Sequence, residues 1–315
     1  MHSLTNDDVK LAAERIAGVV RPVTVVPADS DVFGSGVHLA LEFMQYTGSF
    51  KARGAANFVA AHLAAGTLPA AGIITSTGRN ADLGFAWAAR RYGVPVTSFL
   101  PETAAPVMVG RLRALDADVR VDADHTAAAG EFAERTGAVD AYAADALLAA
   151  AGSGTLLPEL AAAVPGLDTV VVAVGAGGMF AGITAAADQH GIRVVAAEPQ
   201  GCPALHAALA AGRIVDVPMD SVAADSLGSL RVLPAAFHWA RSADVRSVLV
   251  DDPAIVRARQ LLWDHHRLAV EHGSAATLAA LIGGAYRPAD GERTAVVLCG
   301  ANTDPGDLVQ PPKER

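Results

Sequence analysis

The sequence predicts an α/β protein with mostly parallel sheets covered by helices, on three observations. Short β-branched runs alternate with longer Ala/Leu-rich runs from end to end. Small-residue turns rich in Gly, Ser and Thr stand where several of the short runs finish. The 315 residues are 52% hydrophobic, enough apolar material for two packed lobes. A βαβα rhythm of this kind buries parallel strands under helices and leaves ligands to the strand ends.

Strand-like runs fall at 23–26, 37–41, 72–75, 94–100, 118–121, 169–174, 192–197, 245–250 and 294–299. Helical spacing fits 80–91, 106–114, 146–163, 253–266 and 273–284. Asp252-Pro253 reads as an N-cap followed by a first-turn proline. Gly152-Ser153-Gly154 suits a return point between a large lobe (1–60 plus 150–315) and a small one (61–149). The chain shows no internal repeat, and its only disordered-looking segment is the tail from about Asp304.

Bulk properties exclude several classes. The formal charge is −9 and no run of five like charges occurs, so a nucleic-acid partner is not expected. No stretch offers the roughly 18 unbroken apolar residues of a membrane span. Two cysteines, Cys202 and Cys299, cannot make a disulfide framework, and the polar, acidic start is unlike a secretory leader, so a cytoplasmic protein is expected. Cys-x-x-Cys, His-Glu-x-x-His and Gly-x-Ser-x-Gly patterns are absent; no metal and no serine-hydrolase nucleophile are expected.

One count points to chemistry. The chain has 21 Arg but only three Lys: Lys10 in a polar N-terminal helix, Lys313 in a Pro-rich tail, and Lys51 inside the fold. An amine can lose its proton and condense with a carbonyl, which a guanidinium cannot. Lys51 lies in Gln45-Tyr46-Thr47-Gly48-Ser49-Phe50-Lys51-Ala52-Arg53-Gly54, where Thr47 to Ser49 read as a turn plus N-cap. Lys51 then begins a helix, whose positive end favours the unprotonated amine.

Three further segments accompany it. Gly175-Ala176-Gly177-Gly178-Met179 follows an apolar strand and opens a helix, an arrangement that cradles an anion. A dinucleotide turn is the rival reading, with Glu198 as ribose-binding acid, although Phe180 stands where its third glycine belongs. Ser76-Thr77-Gly78-Arg79-Asn80 joins a strand to a helix and suits a carboxylate or plain N-capping. Cys299-Gly300-Ala301-Asn302 puts a thiol at the end of a buried strand, where inert filling is the commoner role.

In this order and spacing the four segments resemble the fold-type II pyridoxal-phosphate enzymes, the threonine/serine dehydratase and serine racemase branch. Gly152-Ser153-Gly154-Thr155, Glu198-Pro199 and Val270 to Ala276 resemble three more landmarks of that family, and the similarity spans about residues 10 to 305. The resemblance implies a two-domain, three-layer αβα fold and a homodimer. It implies pyridoxal phosphate bound to Lys51 as a Schiff base, with its phosphate on Gly175, Ala176, Gly177, Gly178 and Met179. Phe50 would pack near the ring, Asn80 would bond its 3′ oxygen, and Cys299 would meet its nitrogen. The carboxylate of a small amino acid would dock on Ser76, Thr77 and Gly78, and the freed Lys51 would take the Cα proton. A neutral thiol at the ring nitrogen favours β-elimination, serine or threonine giving a 2-oxo acid and ammonia. Racemase and threonine-synthase-like β-replacement are the alternatives. The sequence also departs from the pattern: Arg79 reads as an extra loop residue, Thr77 stands where racemases carry a Ser base, and Ala204 replaces the acid of the family's cation site.

Overall fold

The computed structural model describes residues 4–142 and 146–309; Lys313 and the end of the tail lie outside the described residues. Its strands are β1 (Val25–Pro27), β2 (Val37–Ala40), β3 (Ile73–Thr75), β4 (Val96–Leu100), β5 (Asp118–Val121), β6 (Val139–Asp140), β7 (Thr169–Ala173), β8 (Arg193–Pro199), β9 (Val245–Val250) and β10 (Thr294–Val297). They form a six-stranded sheet, β1-β2-β10-β7-β8-β9, and a four-stranded sheet, β5-β4-β3-β6. Every pairing is parallel except β1 with β2.

The apolar runs become strands because both faces of the large sheet are covered. On β7, Val170 and Val172 enter the core on one side while Val171 and Ala173 enter the other. Helix Gly178–Ala187 supplies Phe180 and Ile183 to the first core, and helix His272–Ile282 supplies Ala275 and Leu278 to the second. Each large side chain fully buried this way contributes about 1.5–3 kcal/mol. Strand β5 keeps Asp118 and Arg120 paired in solvent at 2.8 Å, as an edge strand does.

Some expectations shift. β10 ends two residues early, which leaves Cys299 just beyond the ladder. β6 was not foreshadowed: its two residues carry no apolar alternation and are held by pairing with β3 alone. Asp251, not Asp252, caps helix Asp252–His266, accepting from Ala254 N–H at 2.7 Å. Gly152 and Gly154 lie in the last turn of helix Ala146–Gly154, on the path from β6 of the small sheet to β7 of the large one, at close helix contacts. A Cβ at Gly152 would stand 2.6 Å from the Arg53 carbonyl, and one at Gly182 would stand 2.0 Å from that of Ala150. The stretch Ala146–Ala163 is long and apolar enough to cross a membrane, but half of it is buried and it breaks at Thr155 to pack on helix Gly178–Ala187.

Candidate active site

Lys51 is the first residue of helix Lys51–Ala65 and is held there by the end of β10. Phe50 N–H donates to the Cys299 carbonyl at 2.9 Å and Ala301 N–H to that of Gly48 at 3.0 Å. The turn before the helix has positive φ at Thr47 (68°) and Gly48 (77°); a Cβ on Gly48 would meet Asn302 Oδ1 at 2.6 Å. Ser49 is not the N-cap: its backbone is extended and its buried hydroxyl has no hydrogen-bond partner among the described residues, while Phe50 takes the cap position. Helix Asn80–Tyr92 closes over the lysine through Gly84, whose missing Cβ would lie 3.0 Å from the Lys51 Cβ. Tyr46 stacks on Trp87 of that helix at 4.8 Å.

Among the described residues the Lys51 amine has no hydrogen bond or ion pair; Nζ lies 4.8 Å from the Phe50 ring centroid. Burial pushes its pKa down; Cys299 and Glu271 oppose that, and Arg79 adds to it. The result is an amine that gives up its proton more readily than a surface lysine. Burial pushes the Cys299 thiol up to about 12, so it stays protonated, 3.4 Å from the Ser274 hydroxyl.

The glycine turn lies across the same cleft from Lys51. Phe50, Lys51, Phe85, Ala176, Gly178 and Met179 all line it, and it opens to solvent. Gly177 has φ +91°, and a Cβ there would stand 2.6 Å from that of Ala236; one on Gly175 would stand 2.8 Å from the Leu227 carbonyl. The outer side of the turn is therefore filled by protein. Gly178 is open, its nearest neighbour being Leu233 Cδ1 at 3.9 Å. Leu233 N–H holds the Ala176 carbonyl at 2.9 Å. Phe180 is buried in the core and the close helix contact falls at Gly182, unlike the glycine spacing of a dinucleotide turn. A phosphate at the start of helix Gly178–Ala187 and an aldehyde at Lys51 fit this cleft.

The substrate loop differs from expectation in who uses its donors. Asp82, buried in the first turn of helix Asn80–Tyr92, accepts from the Thr77 hydroxyl (2.5 Å), Thr77 N–H (3.2 Å) and Gly78 N–H (2.8 Å). Burial lifts its pKa to about 6, against the pull of those hydrogen bonds. Ser76 is not held by Asp82. Asn80 faces Glu271: its Nδ2 lies 2.8 and 3.0 Å from the two carboxylate oxygens, and its Oδ1 accepts from Asn302 Nδ2 at 2.6 Å. Glu271 also accepts from Asn302 N–H at 3.1 Å, and burial raises its pKa. Arg111 completes the group, donating to Asn302 Oδ1 and, at 2.9 Å, to the Thr47 carbonyl. Asp82, Glu271, Asn302 and Arg111 thus support the site without having been assigned a role from sequence. Asp82 carried a local signal, an acid in the first helical turn behind a Gly-containing loop; Glu271 and Asn302 lie in segments singled out for other residues, and Arg111 carried none. Glu198 takes a structural part, accepting from Leu205 N–H (2.7 Å) and His206 N–H (2.8 Å) at the start of helix Ala204–Ala211.

Comparison with known proteins agrees with this geometry. Residues 17–300 match the family model described as pyridoxal-phosphate dependent enzyme. The chain is 34% identical over 301 residues to a serine dehydratase-like protein of Rattus norvegicus, covering 90% of each. It is 32% identical over 304 residues to the L-threonine ammonia-lyase of Geobacter sulfurreducens, covering 94% of this chain and 75% of that one. The structure of maize serine racemase superposes with a TM-score of 0.90 at 27% identity, over 98% of this chain and 96% of the other. The chain belongs to the pyridoxal-phosphate dependent enzyme family, and its cofactor is pyridoxal 5′-phosphate.

Proposed function

We propose that this enzyme is an ammonia-lyase that removes water from a β-hydroxy amino acid, with serine and threonine as the simplest substrates, giving a 2-oxo acid and ammonia. Relatives of this chain include dehydratases and racemases, and the residues of the loop support the dehydratase reading. The carrying observation is Thr77: its hydroxyl donates to Asp82 at 2.5 Å and so is spent inside the loop. Racemisation needs a second base on the face of Cα opposite Lys51; the family resemblance gives that role to the position of Thr77, whose hydroxyl is turned to Asp82. Elimination needs one base.

When bound, pyridoxal phosphate supplies an aldehyde that condenses with amines and draws electrons from the Cα–H bond. The Gly175–Met179 turn holds the phosphate through backbone N–H groups and the helix start. Lys51, its pKa lowered by burial, anchors the cofactor and, once released, takes the Cα proton. Cys299 stays a neutral thiol, so no carboxylate fixes a proton at that end of the site. With Thr77 and Gly78 N–H turned to Asp82, Ser76 and the first N–H groups of helix Asn80–Tyr92 are the donors left for the substrate carboxylate. The water lost at Cβ is balanced by the one consumed when the unsaturated amine hydrolyses. A homodimer belongs to the same reading and is tested by light scattering. The reaction is tested by incubating the reconstituted enzyme with each enantiomer of serine and threonine: 2-oxo acid and ammonia are expected, and inversion without 2-oxo acid overturns the reading.

A further inference from the structure

Arg79 is the one feature of the substrate loop that the elimination leaves without a task. Its backbone belongs to the small-sheet wall, between Gly78 and the start of helix Asn80–Tyr92. Its guanidinium reaches the other wall, where Nη1 donates to the Gly228 carbonyl at 2.9 Å. Gly228 follows Leu227, whose carbonyl backs Gly175. The fork therefore bridges the two walls, from the substrate loop to the segment that backs the start of the phosphate turn.

Of the five N–H donors on an arginine, that bond uses one. Among the described residues no carboxylate pairs with Arg79 and no other acceptor meets its side chain. Its charge is felt inside the cleft: it adds to the lowering of the Lys51 amine and opposes the rise that burial gives the Tyr142 hydroxyl. The cleft lining is mostly apolar, with Ala81, Phe85, Ala141 and Leu233 beside the polar groups of Lys51, Tyr142 and Ser153. With the substrate carboxylate at the loop backbone and the amine toward Lys51, the third substituent of Cα extends toward the mouth. A hydroxymethyl group there needs no cation; an oxyanion does, and a planar fork with free donors matches a carboxylate in two-point fashion.

We propose that Arg79 is a specificity-determining residue, selecting β-hydroxy amino acids whose side chain ends in an anionic group, such as a second carboxylate. The chemistry rests on the elimination proposed above and is unchanged by the choice: the Cα proton goes to Lys51, the Cβ–O bond breaks, the hydroxyl leaves as water, and hydrolysis yields a 2-oxo dicarboxylate and ammonia. Recognition can be separated from that chemistry, because an unreactive dicarboxylate should bind at the same fork.

The experiment titrates the pyridoxal-phosphate-loaded enzyme with succinate and with propionate, in the wild type, Arg79→Ala and Arg79→Lys. Intact cofactor absorbance and an unchanged melting transition show that each variant is folded. Succinate should bind the wild type more tightly than propionate, and Arg79→Ala should weaken succinate roughly 10–100-fold, the loss expected for a hydrogen bond to a charged group. Propionate should move far less, and Arg79→Lys should keep part of the preference. In turnover, the kcat/KM ratio of 3-hydroxyaspartate over serine should fall by a similar factor in Arg79→Ala. Equal succinate binding in wild type and Arg79→Ala overturns the proposal, as does an equal loss for succinate and propionate, which would mark Arg79 as a bridge to Gly228 or a grip on the α-carboxylate. If no substrate yields a 2-oxo acid yet the succinate preference disappears with Arg79, the elimination fails and the anion selectivity stands.

Discussion

The two walls of the cleft are built by different means. The large-sheet wall, with Lys51, the Gly175–Met179 turn and Cys299, is made of backbone groups and of side chains that are missing. The turn works because a Cβ at Gly177 would meet Ala236 at 2.6 Å, and the segment leading into Lys51 is fixed by main-chain bonds from Phe50 to Cys299 and from Ala301 to Gly48. The small-sheet wall is held by side chains: Asp82 on the Thr77 hydroxyl and the Gly78 N–H, Glu271 and Asn302, reaching over from the large lobe, on Asn80, and Arg111 on Asn302. A backbone-built wall should fail abruptly when altered, whereas a side-chain wall should weaken by degrees and respond to pH.

The largest expected effect is on the first wall. Lys51→Ala removes the anchor and the base together; turnover should fall by about 10²–10⁴-fold from loss of the base alone, and the yellow colour should no longer be fixed by borohydride. Retained turnover in a folded Lys51→Ala protein would break the assignment. Next comes Gly177→Ala. A side chain at φ +91° costs about 1–3 kcal/mol, before the contact with Ala236 is relieved. Pyridoxal phosphate affinity should drop by about tenfold or more, read by titrating cofactor absorbance. If Gly177→Ala binds as tightly as the wild type, the turn is not a close-fitting cradle.

The same contrast explains what could be read from the sequence. The Lys51 segment, the glycine turn and Cys299 are each contiguous, and their chemistry follows from residue type and local backbone. Strands as apolar as β7 were legible because burial on both faces leaves an unbroken run of β-branched residues. The second wall depends on partners far apart in the chain: Asn80 and Glu271 by 191 residues, Asn80 and Asn302 by 222, Arg111 and Asn302 by 191. No local pattern encodes such pairs. Thr77 and Gly78 were read as free donors because the local signal at Asp82, an acid in the first turn of helix Asn80–Tyr92, was not followed back to the loop. Two-residue β6 and the break at Thr155 escaped for the opposite reason, as tertiary pairing overrode weak local preference.

Asp82 gives the side-chain wall its expected pH response. Its folded pKa of about 6 lies above the ordinary 3.8, so burial favours the protonated form. The sign follows: this group's contribution to stability is present below about pH 3.8 and is lost as pH rises through about 6. Asp82→Asn should remove that slope from a plot of melting temperature against pH. It should also loosen Thr77 and Gly78, raising KM for the amino acid while leaving cofactor colour intact. Cofactor loss in Asp82→Asn would mean that the two walls are one unit.

The smallest effect, and the sharpest test of the large-sheet wall, is at Cys299. If that wall acts through backbone and shape, the sulfur need only be small, neutral and buried. Its thiol sits at about 12 because of burial, so it cannot ionise in the working range, and the activity profile should carry no inflection from it below about pH 10. Cys299→Ser keeps a neutral group beside the Ser274 hydroxyl, 3.4 Å from the sulfur. A serine hydroxyl is a stronger donor, and its neighbour Ser274 already exchanges hydrogen bonds with the Gly300 backbone at 2.8 and 2.7 Å. The substitution should therefore shift turnover by a few-fold, within the 0.5–1.5 kcal/mol of an ordinary neutral hydrogen bond. Cys299→Asp supplies the opposite case. A carboxylate there would hold a proton near the ring nitrogen and lengthen the life of the deprotonated substrate, raising α-proton exchange from D₂O relative to 2-oxo acid release. An unchanged ratio in Cys299→Asp would show that the choice between elimination and exchange is made on the small-sheet wall, at Thr77 and Asp82.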